Sequence, residues 1–375
     1  MKAGYRFSPT IIDVETDDAG SGAWLSEFLH PWADATPHGH GDRLVRMTSS
    51  AAAFDALGRR QAVSSLRQVP CFALDSQVVS LPGWDNDRGT VVADAELGCF
   101  FCLAGRVVEV VARPGCARAR IGLMRVVREA LAAPALAGAD YIDLHAAAFA
   151  VAGQAVLLAG PKGSGKTTML IHALASGRAD LLANDRVFIH GSPEPAGAVG
   201  VPTLVSIRPW TLQVFPRLRK DAAERSASLR VGEPAPPRVE DGTAAETRDF
   251  ALSPAQLAHR LGVAMARDAP IAAVVFPVIT PATDTWTFEP VSPADAAARL
   301  RECLYGARVE PRAPTVFEGT RRGVPRRAQQ SAVVERLAAR VPCVQGNLGP
   351  GACRDSAGVW LRALGLDVAT AVPAR

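Results

Sequence analysis

The 375-residue chain lacks several things that would settle its class at once. No apolar run reaches the roughly 18 residues that suggest a membrane span, so none is expected. Met1 to Asp13 has no charged-then-apolar signal architecture, and the cytoplasm is the expected compartment. Net charge is only +4. That argues against a dedicated nucleic-acid binder, which concentrates a basic face. Cysteines number seven, odd and scattered, so they make no disulfide framework. Cys99 and Cys102 form one C-x-x-C inside an apolar run. A zinc site would want a second pair, and none is spaced for it; both read as buried structural thiols. His38 and His40 sit in a Pro/Gly/Asp loop and read as solvated. There are no internal repeats or heptads. The 48% hydrophobic and 21% charged residues fit a soluble globular enzyme. The length exceeds one ordinary core, or makes one large domain with additions.

What is present is concentrated in Val156 to Leu170. An apolar run passes through a Gly-rich turn and continues in a helical pattern. Gly160, Gly165, Lys166 and Thr167 satisfy the phosphate-loop spacing G-x-x-x-x-G-K-[ST]. Glycines let the backbone wrap closely, so that several N–H groups face an anion. Lys166 would reach the outer phosphates and the Thr167 hydroxyl would hold Mg²⁺. A helix starting near Lys166 turns its positive end to the same phosphates. The nucleotide-binding candidates are therefore Gly160, Pro161, Lys162, Gly163, Ser164, Gly165, Lys166, Thr167 and Thr168, with ATP and Mg²⁺ as the implied ligands.

Around this loop, residues 1 to 120 read as β-rich. Gln77–Leu81, Thr90–Ala93 and Arg106–Val111 are β-branched runs between turn residues. Gly122 to Leu136 is helical, with Leu123, Val126, Val127, Ala130 and Leu131 on one face. Tyr141–His145 is a strand, which puts His145 on a neighbour of the loop. Met169–Ser176 is a helix stopped by Gly177. Asp180–Ala183 is a strand ending at Asn184-Asp185-Arg186, continued by Val187–Ile189. Asp185 follows Lys166 by 19 residues (185 − 166). A carboxylate at such a strand tip manages Mg²⁺ or a nucleophile, or merely caps a turn. Gly200–Arg208 is a further strand, Pro254–Met265 a helix capped by Ser253, and Ile271–Ile279 a buried strand. Another capped helix begins at Ser292-Pro293, and Ser331–Ala339 precedes a strand at Cys343.

Asp221 to Thr247 nearly lacks large apolar residues and reads as a mobile insertion. Arg308, Arg312, Arg321, Arg322, Arg326 and Arg327 make a basic region. It is either a solvated face or a capture site for phosphates or an acidic group. Three regions follow: 1–120, β-rich; 121–300, the phosphate-loop domain with the insertion at about 221–247; and 301–375, Arg-rich and packing on the core.

His145 through Arg186 resembles the catalytic domain of HPr kinase/phosphorylase and its smaller serine-kinase relatives, some encoded with modified-peptide pathways. That family has a His on a strand before the loop, then G-x-x-G-x-G-K-[ST] and a short helix ending in Gly. A strand closing on an acidic pair and Arg-Val comes next. The matching positions are His145, Gly160 to Thr167, Gly177 and Asn184-Asp185-Arg186. Gly200-Val-Pro to Ser206-Ile-Arg208 and Val274-Val-Phe-Pro277 continue the likeness. It covers roughly residues 120 to 300, about half of the chain.

The resemblance implies an α/β fold: a P-loop kinase core of the HPr kinase/PEP carboxykinase type, with a β-rich N-terminal region added. It implies Asp185 as the base that takes the substrate hydroxyl's proton, with His145 as its catalytic partner. Thr167 and Asp185 are the implied metal ligands. Asn184 stands where the family has its first carboxylate, and the family's E-x-R-G motif has no clear counterpart near Ser206-Ile-Arg208. The resemblance therefore stops short of phosphorylase activity and of HPr as substrate.

The expected function is an ATP-dependent kinase acting on a Ser or Thr hydroxyl of a peptide or small protein. The alternative is a nucleotide-binding regulatory or scaffold protein without phosphoryl transfer. The expected partner is that peptide or small protein, with neither nucleic acid nor membrane. The oligomeric state is left open, a homo-oligomer included.

Overall fold

A computed structural model describes residues 1–74, 77–137, 141–190, 195–208, 211–212, 215, 218, 250–280, 286–305, 315–317 and 327–349. The protein is mixed α/β, with two large sheets and, among the described residues, seven helices. The chain divides into two compact units.

The first unit is built on a nine-stranded sheet. Its strands are β1 (Lys2–Phe7), β2 (Thr10–Thr16), β3 (Asp34–Thr36), β4 (Arg43–Ser49), β5 (Arg67–Leu74), β6 (Gln77–Asn86), β7 (Gly89–Asp94), β8 (Cys99–Ala104) and β9 (Val107–Ala112), in the order β3-β1-β2-β4-β9-β8-β7-β6-β5. The sequence reading left out two helices here, α1 (Ala19–Leu29) and α2 (Ala51–Val63). Each has a side-chain cap: Asp18 accepts from the Gly20 and Ser21 amides, and Ser50 from Ala53.

Helix α3 (Ala119–Ala137) buries Leu123, Val126, Val127, Ala130 and Leu131, the face its periodicity indicated. It packs on β1, β2, β4 and β9, so it belongs to the first unit although it crosses the expected boundary at residue 120. Residues 315–317 also join this unit: Phe317 stacks on Phe72 at 4.9 Å, and its carbonyl accepts from Arg43. Cys99 is a buried free thiol and Cys102 a partly buried one.

The second unit carries β10 (Tyr141–Leu144), β11 (Ala146–Val151), β12 (Gln154–Ala159), β13 (Asp180–Ala183), β14 (Val187–His190), β15 (Gly197–Gly200), β16 (Val205–Ile207), β17 (Phe250–Leu252), β18 (Asp268–Ile279), β19 (Thr287–Pro290) and β20 (Cys343–Leu348). Its helices are α4 (Lys166–Ala175), α5 (Pro254–Leu261), α6 (Pro293–Glu302) and α7 (Arg327–Arg340). The main sheet runs β10-β14-β15-β18-β12-β11-β13, with β20 on β18 and β19 on β20. Strand β18 is long enough to serve both halves. Its first residues pair antiparallel with β15, and its later ones pair parallel with β12 and β20.

The runs Ala146–Val151 and Ala155–Ala159 are apolar without alternation because both faces of the sheet are covered. Ala146, Ala148 and Leu157 pack toward α6 and α7, through Ala296, Leu300, Val334 and Leu337. Phe149, Val156 and Leu158 face α4 and α5, through Met169, Leu170, Leu174 and Leu257. Helix α4 is thereby locked at the end of β12.

Two strands expected to be continuous are broken. Val187–Ile189 does not extend Asp180–Ala183: β13 pairs with β11, whereas β14 pairs with β10 and β15. Asn184–Arg186 is the turn between them. Gly200–Arg208 splits likewise into the end of β15 and the separate strand β16. The Asp221–Thr247 insertion and Arg308, Arg312, Arg321, Arg322 and Arg326 lie outside the described residues; Arg327 opens α7.

Candidate active site

Strand β12 ends at Ala159, the turn Gly160–Gly165 follows, and α4 starts at Lys166. Gly163 and Gly165 have φ of 92° and 109°, which any residue with a Cβ adopts only at a cost. Gly165 is the N-cap of α4 and supplies no side-chain cap, so the first-turn amides are left for another acceptor. A Cβ on Gly160 would lie 2.9 Å from Ser164 Oγ, which shows how tightly the turn closes on itself.

The Lys166 side chain is buried, and its ammonium donates to Gly160 O at 2.6 Å and Pro161 O at 3.1 Å. Thr167 is half-buried and lines the cleft. Thr168 also lines the cleft, and its buried hydroxyl meets the Thr211 hydroxyl at 3.0 Å. Pro161 and Lys162 are exposed on the rim.

Across from the loop stand His145 and Asp185. His145 follows β10 directly and donates its backbone N–H to Cys303 O at 2.7 Å. Its Nε2 is 2.9 Å from Asp185 Oδ1. The His145 side chain is 8% exposed and that of Asp185 41%, so the imidazole is held inside and the carboxylate opens to the cleft. Asp185 owes that position to the turn between β13 and β14.

These groups line one cleft of about 240 Å³, together with Lys162, Gly163, Gly165, Lys166, Thr167, Thr168, Asn184, Leu204, Ser206, Arg208, Thr211 and Ile279. Among the described residues its lining carries Lys162, Lys166 and Arg208 against one carboxylate, Asp185, a balance that favours an anion. Arg208 reaches over the loop, and a Cβ on Gly163 would lie 3.6 Å from its Nη1. The Asn184 amide nitrogen donates to Leu204 O at 3.4 Å, while its buried Oδ1 has no partner among the described residues. Ser164 Oγ is likewise buried without a partner among the described residues. Orphaned oxygens beside an uncapped helix start and a lysine fit a site built for a phosphate and its cation.

Sequence reasoning therefore placed the glycine turn, Lys166, Thr167, His145 and Asp185 in residues that do come together. It missed Arg208 and the free oxygen of Asn184 as parts of the lining. The signal for Arg208 was present, since Ser206-Ile-Arg208 continued the resemblance. It also missed the buried ion pair behind the dyad. Arg186 donates through Nε to both carboxylate oxygens of Asp143, at 3.1 and 3.0 Å, and through Nη2 at 2.7 Å. A lone acidic residue in the apolar run Tyr141–Leu144 was the available clue.

No protein-family model matches the chain, and no curated protein matches it. Among solved structures, the HPr(Ser) kinase/phosphatase from Coxiella burnetii is similar over 60% of this chain and 87% of that one. The identity is 11% and the TM-score 0.25, a likeness that carries no argument about activity. No helix among the described residues is long and apolar enough to cross a membrane.

Proposed function

We propose that the chain binds a nucleoside triphosphate with Mg²⁺ at Gly160–Thr168 and transfers its terminal phosphoryl group to a hydroxyl of a peptide or small protein. The observation that carries this reading is the His145–Asp185 hydrogen bond, 2.9 Å long, in the same cleft as Lys166 and Thr167. Phosphoryl transfer requires positioning and charge stabilisation more than covalent chemistry. Backbone amides of the turn and the first turn of α4 would hold the phosphates. The Lys166 ammonium would leave two neutral carbonyls for a charged oxygen, a stronger acceptor. Thr167, Asp185 and the free Asn184 Oδ1 are the oxygens available to Mg²⁺, which would neutralise charge on the transferred group. Asp185 would accept the hydroxyl proton, held in place by His145 Nε2.

One observation favours a second reading. Asn184 puts a neutral amide beside Asp185, so the turn offers one carboxylate where two could stand. A protein that binds nucleotide for regulation, without transfer, needs no more than that. The test is incubation with labelled Mg-ATP and candidate peptides, with Asp185→Asn as control. Transfer that depends on Asp185 supports the kinase. Saturable nucleotide binding with no transfer to any peptide supports the regulatory reading.

A further inference from the structure

We propose that the buried Asp143–Arg186 ion pair is the positioning element of the His145–Asp185 dyad, with Tyr305 as its clamp; this rests on the catalytic reading above. The pair ties two paired strands together just where their ladder ends. Strands β10 and β14 pair antiparallel, and their last pair is Leu144 with Val187. One residue beyond it on each side are His145 and Arg186, and Asp185 is one further. Beyond that pair the backbone is held to other segments, His145 N–H to Cys303 O and Val201 N–H to Arg186 O, so a direct tie between these two segments at this end is left to side chains.

Asp143 and Arg186 supply that. Both Arg186 Nε and Nη2 engage the Asp143 carboxylate, and the two side chains are 1% and 7% exposed. A guanidinium fork on a carboxylate fixes orientation as well as distance. Tyr305 closes the unit from a third segment. Its backbone N–H donates to Asp143 O at 2.8 Å. Its ring lies 4.9 Å from Arg186 Cζ and meets the His145 ring edge-on at 6.4 Å. One residue thus touches the backbone of Asp143, the charge of Arg186 and the imidazole of the dyad.

Stability alone gives little reason for this pair. Taking two charges out of water costs much of what their attraction returns, and apolar replacements of similar size are often as stable. A geometric role does give a reason, because the pair lies two residues before His145 and next to Asp185. Asp143 and Arg186 touch no reacting atom; they act through the dyad.

The experiment compares three full-length chains. The double variant Asp143→Leu/Arg186→Met removes both charges and retains bulk. It is expected to melt close to wild type and to keep its Mg-ATP-induced rise in Tm, while transfer falls about 10- to 100-fold in kcat, a part of what a lost base costs. Wild-type kcat in a stably folded double variant would overturn the proposal. Arg186→Lys retains the charge without the fork and guards against failure of the double variant to fold. It is expected to fold, bind nucleotide normally and lose about tenfold in kcat with KM unchanged. An unchanged kcat would again overturn it.

A readout independent of transfer separates this proposal from the reading it rests on. The imidazole Nε2 proton of His145, identified by its loss in His145→Gln, should give a downfield, exchange-protected NMR signal in wild type. Loss of that signal in Arg186→Lys supports positioning even if the wild-type chain phosphorylates nothing. Its persistence in both variants overturns positioning whatever the activity.

Discussion

Lys166 and Gly160 are tied across the glycine turn: the ammonium at the start of α4 donates to the carbonyl at the turn's first residue, 2.6 Å away. The same side chain therefore has two tasks. It braces the turn, and it is the cation an outer phosphate would meet. Lys166→Met retains the aliphatic stem and removes the donor. The variant should lose about 1–3 kcal/mol of stability, the range for losing charged hydrogen bonds and leaving a buried carbonyl unpaired. It should also lose nearly all of the stabilisation by Mg-ATP, which for an intact site at a hundredfold excess over Kd is about 2.7 kcal/mol. Thermal melts with and without Mg-ATP measure both. A full ligand-induced shift in the variant would remove Lys166 from the site.

Gly163 and Gly177 both have positive φ, 92° and 70°, and neither has a neighbour that an added methyl would strike. Alanine at either position should cost about 1–2 kcal/mol through backbone strain. Only Gly163 lies in the cleft, beneath the Arg208 guanidinium. Gly163→Ala should therefore also weaken nucleotide binding severalfold, and Gly177→Ala should leave it alone. Calorimetric titration of both variants with Mg-ATP is the check, and equal affinities would detach Gly163 from phosphate binding.

The loop was legible because its information is local. Gly160 to Thr167 specify the turn, the apolar run before it specifies β12, and Met169 to Leu174 specify a helix by period. Asp185 was legible as a strand tip for the same reason. What the sequence left hidden depends on pairing between distant segments. Val187-Phe188-Ile189 is apolar enough to extend β13, and nothing local says that it pairs with Tyr141–Leu144 instead. That pairing brings His145 to Asp185 and Arg186 to Asp143. Helices α1 and α2 were obscured by Gly and Ala, which blur the apolar stripe. Their caps, Asp18 and Ser50, were readable but unsupported by a strong period.

Thr167 and Thr168 are neighbours. Both residues line the cleft, but the Thr168 hydroxyl is already bonded to that of Thr211. Thr167→Ala should lower Mg²⁺-dependent ATP affinity more than metal-free affinity, with little effect on Tm. Thr168→Ala should cost about 1–3 kcal/mol, because the Thr211 hydroxyl is left buried and unpaired. Reversal of that order, with Thr167→Ala the destabilised variant, would contradict the assignment of Thr167 as the ligand.

The cysteines make a separate prediction about alkali. Burial pushes the Cys71 thiol up from 9.0 to about 12, and those of Cys102 and Cys343 to about 11. A buried thiolate is disfavoured, so the unfolded chain releases these protons first as pH rises. The unfolded state then binds fewer protons than the folded state, and the slope of stability with pH is negative. The thiols' contribution is fully present below about pH 9 and is lost progressively toward pH 11 to 12. Chemical denaturation at pH 8, 9 and 10 should show stability falling slightly across the first interval and more steeply across the last. Alkylation at pH 8 should be slow at these three residues until denaturant is added. Rapid labelling of the folded chain at Cys71 would contradict its burial.

Asp185 admits the sharpest test, because its possible roles predict different pairs of measurements. It is the carboxylate of the cleft, and its Oδ1 is held 2.9 Å from His145 Nε2. Asp185→Asn retains an oxygen for that hydrogen bond and preserves the shape of the turn. It removes the charge and the capacity to take a proton. Nucleotide affinity rests mainly on the turn amides and Lys166, so a base assignment predicts near-normal Mg-ATP binding. Transfer should then fall by about 10²–10⁴, the range for a general base. If Asp185 is chiefly a Mg²⁺ ligand, affinity for Mg-ATP should fall together with the rate, and metal-free binding should be spared. If it only caps the turn, both should survive, since Asn caps as well as Asp. Transfer within about threefold of wild type is far below the loss expected of a missing base. That result would end the base assignment and leave His145 holding a turn.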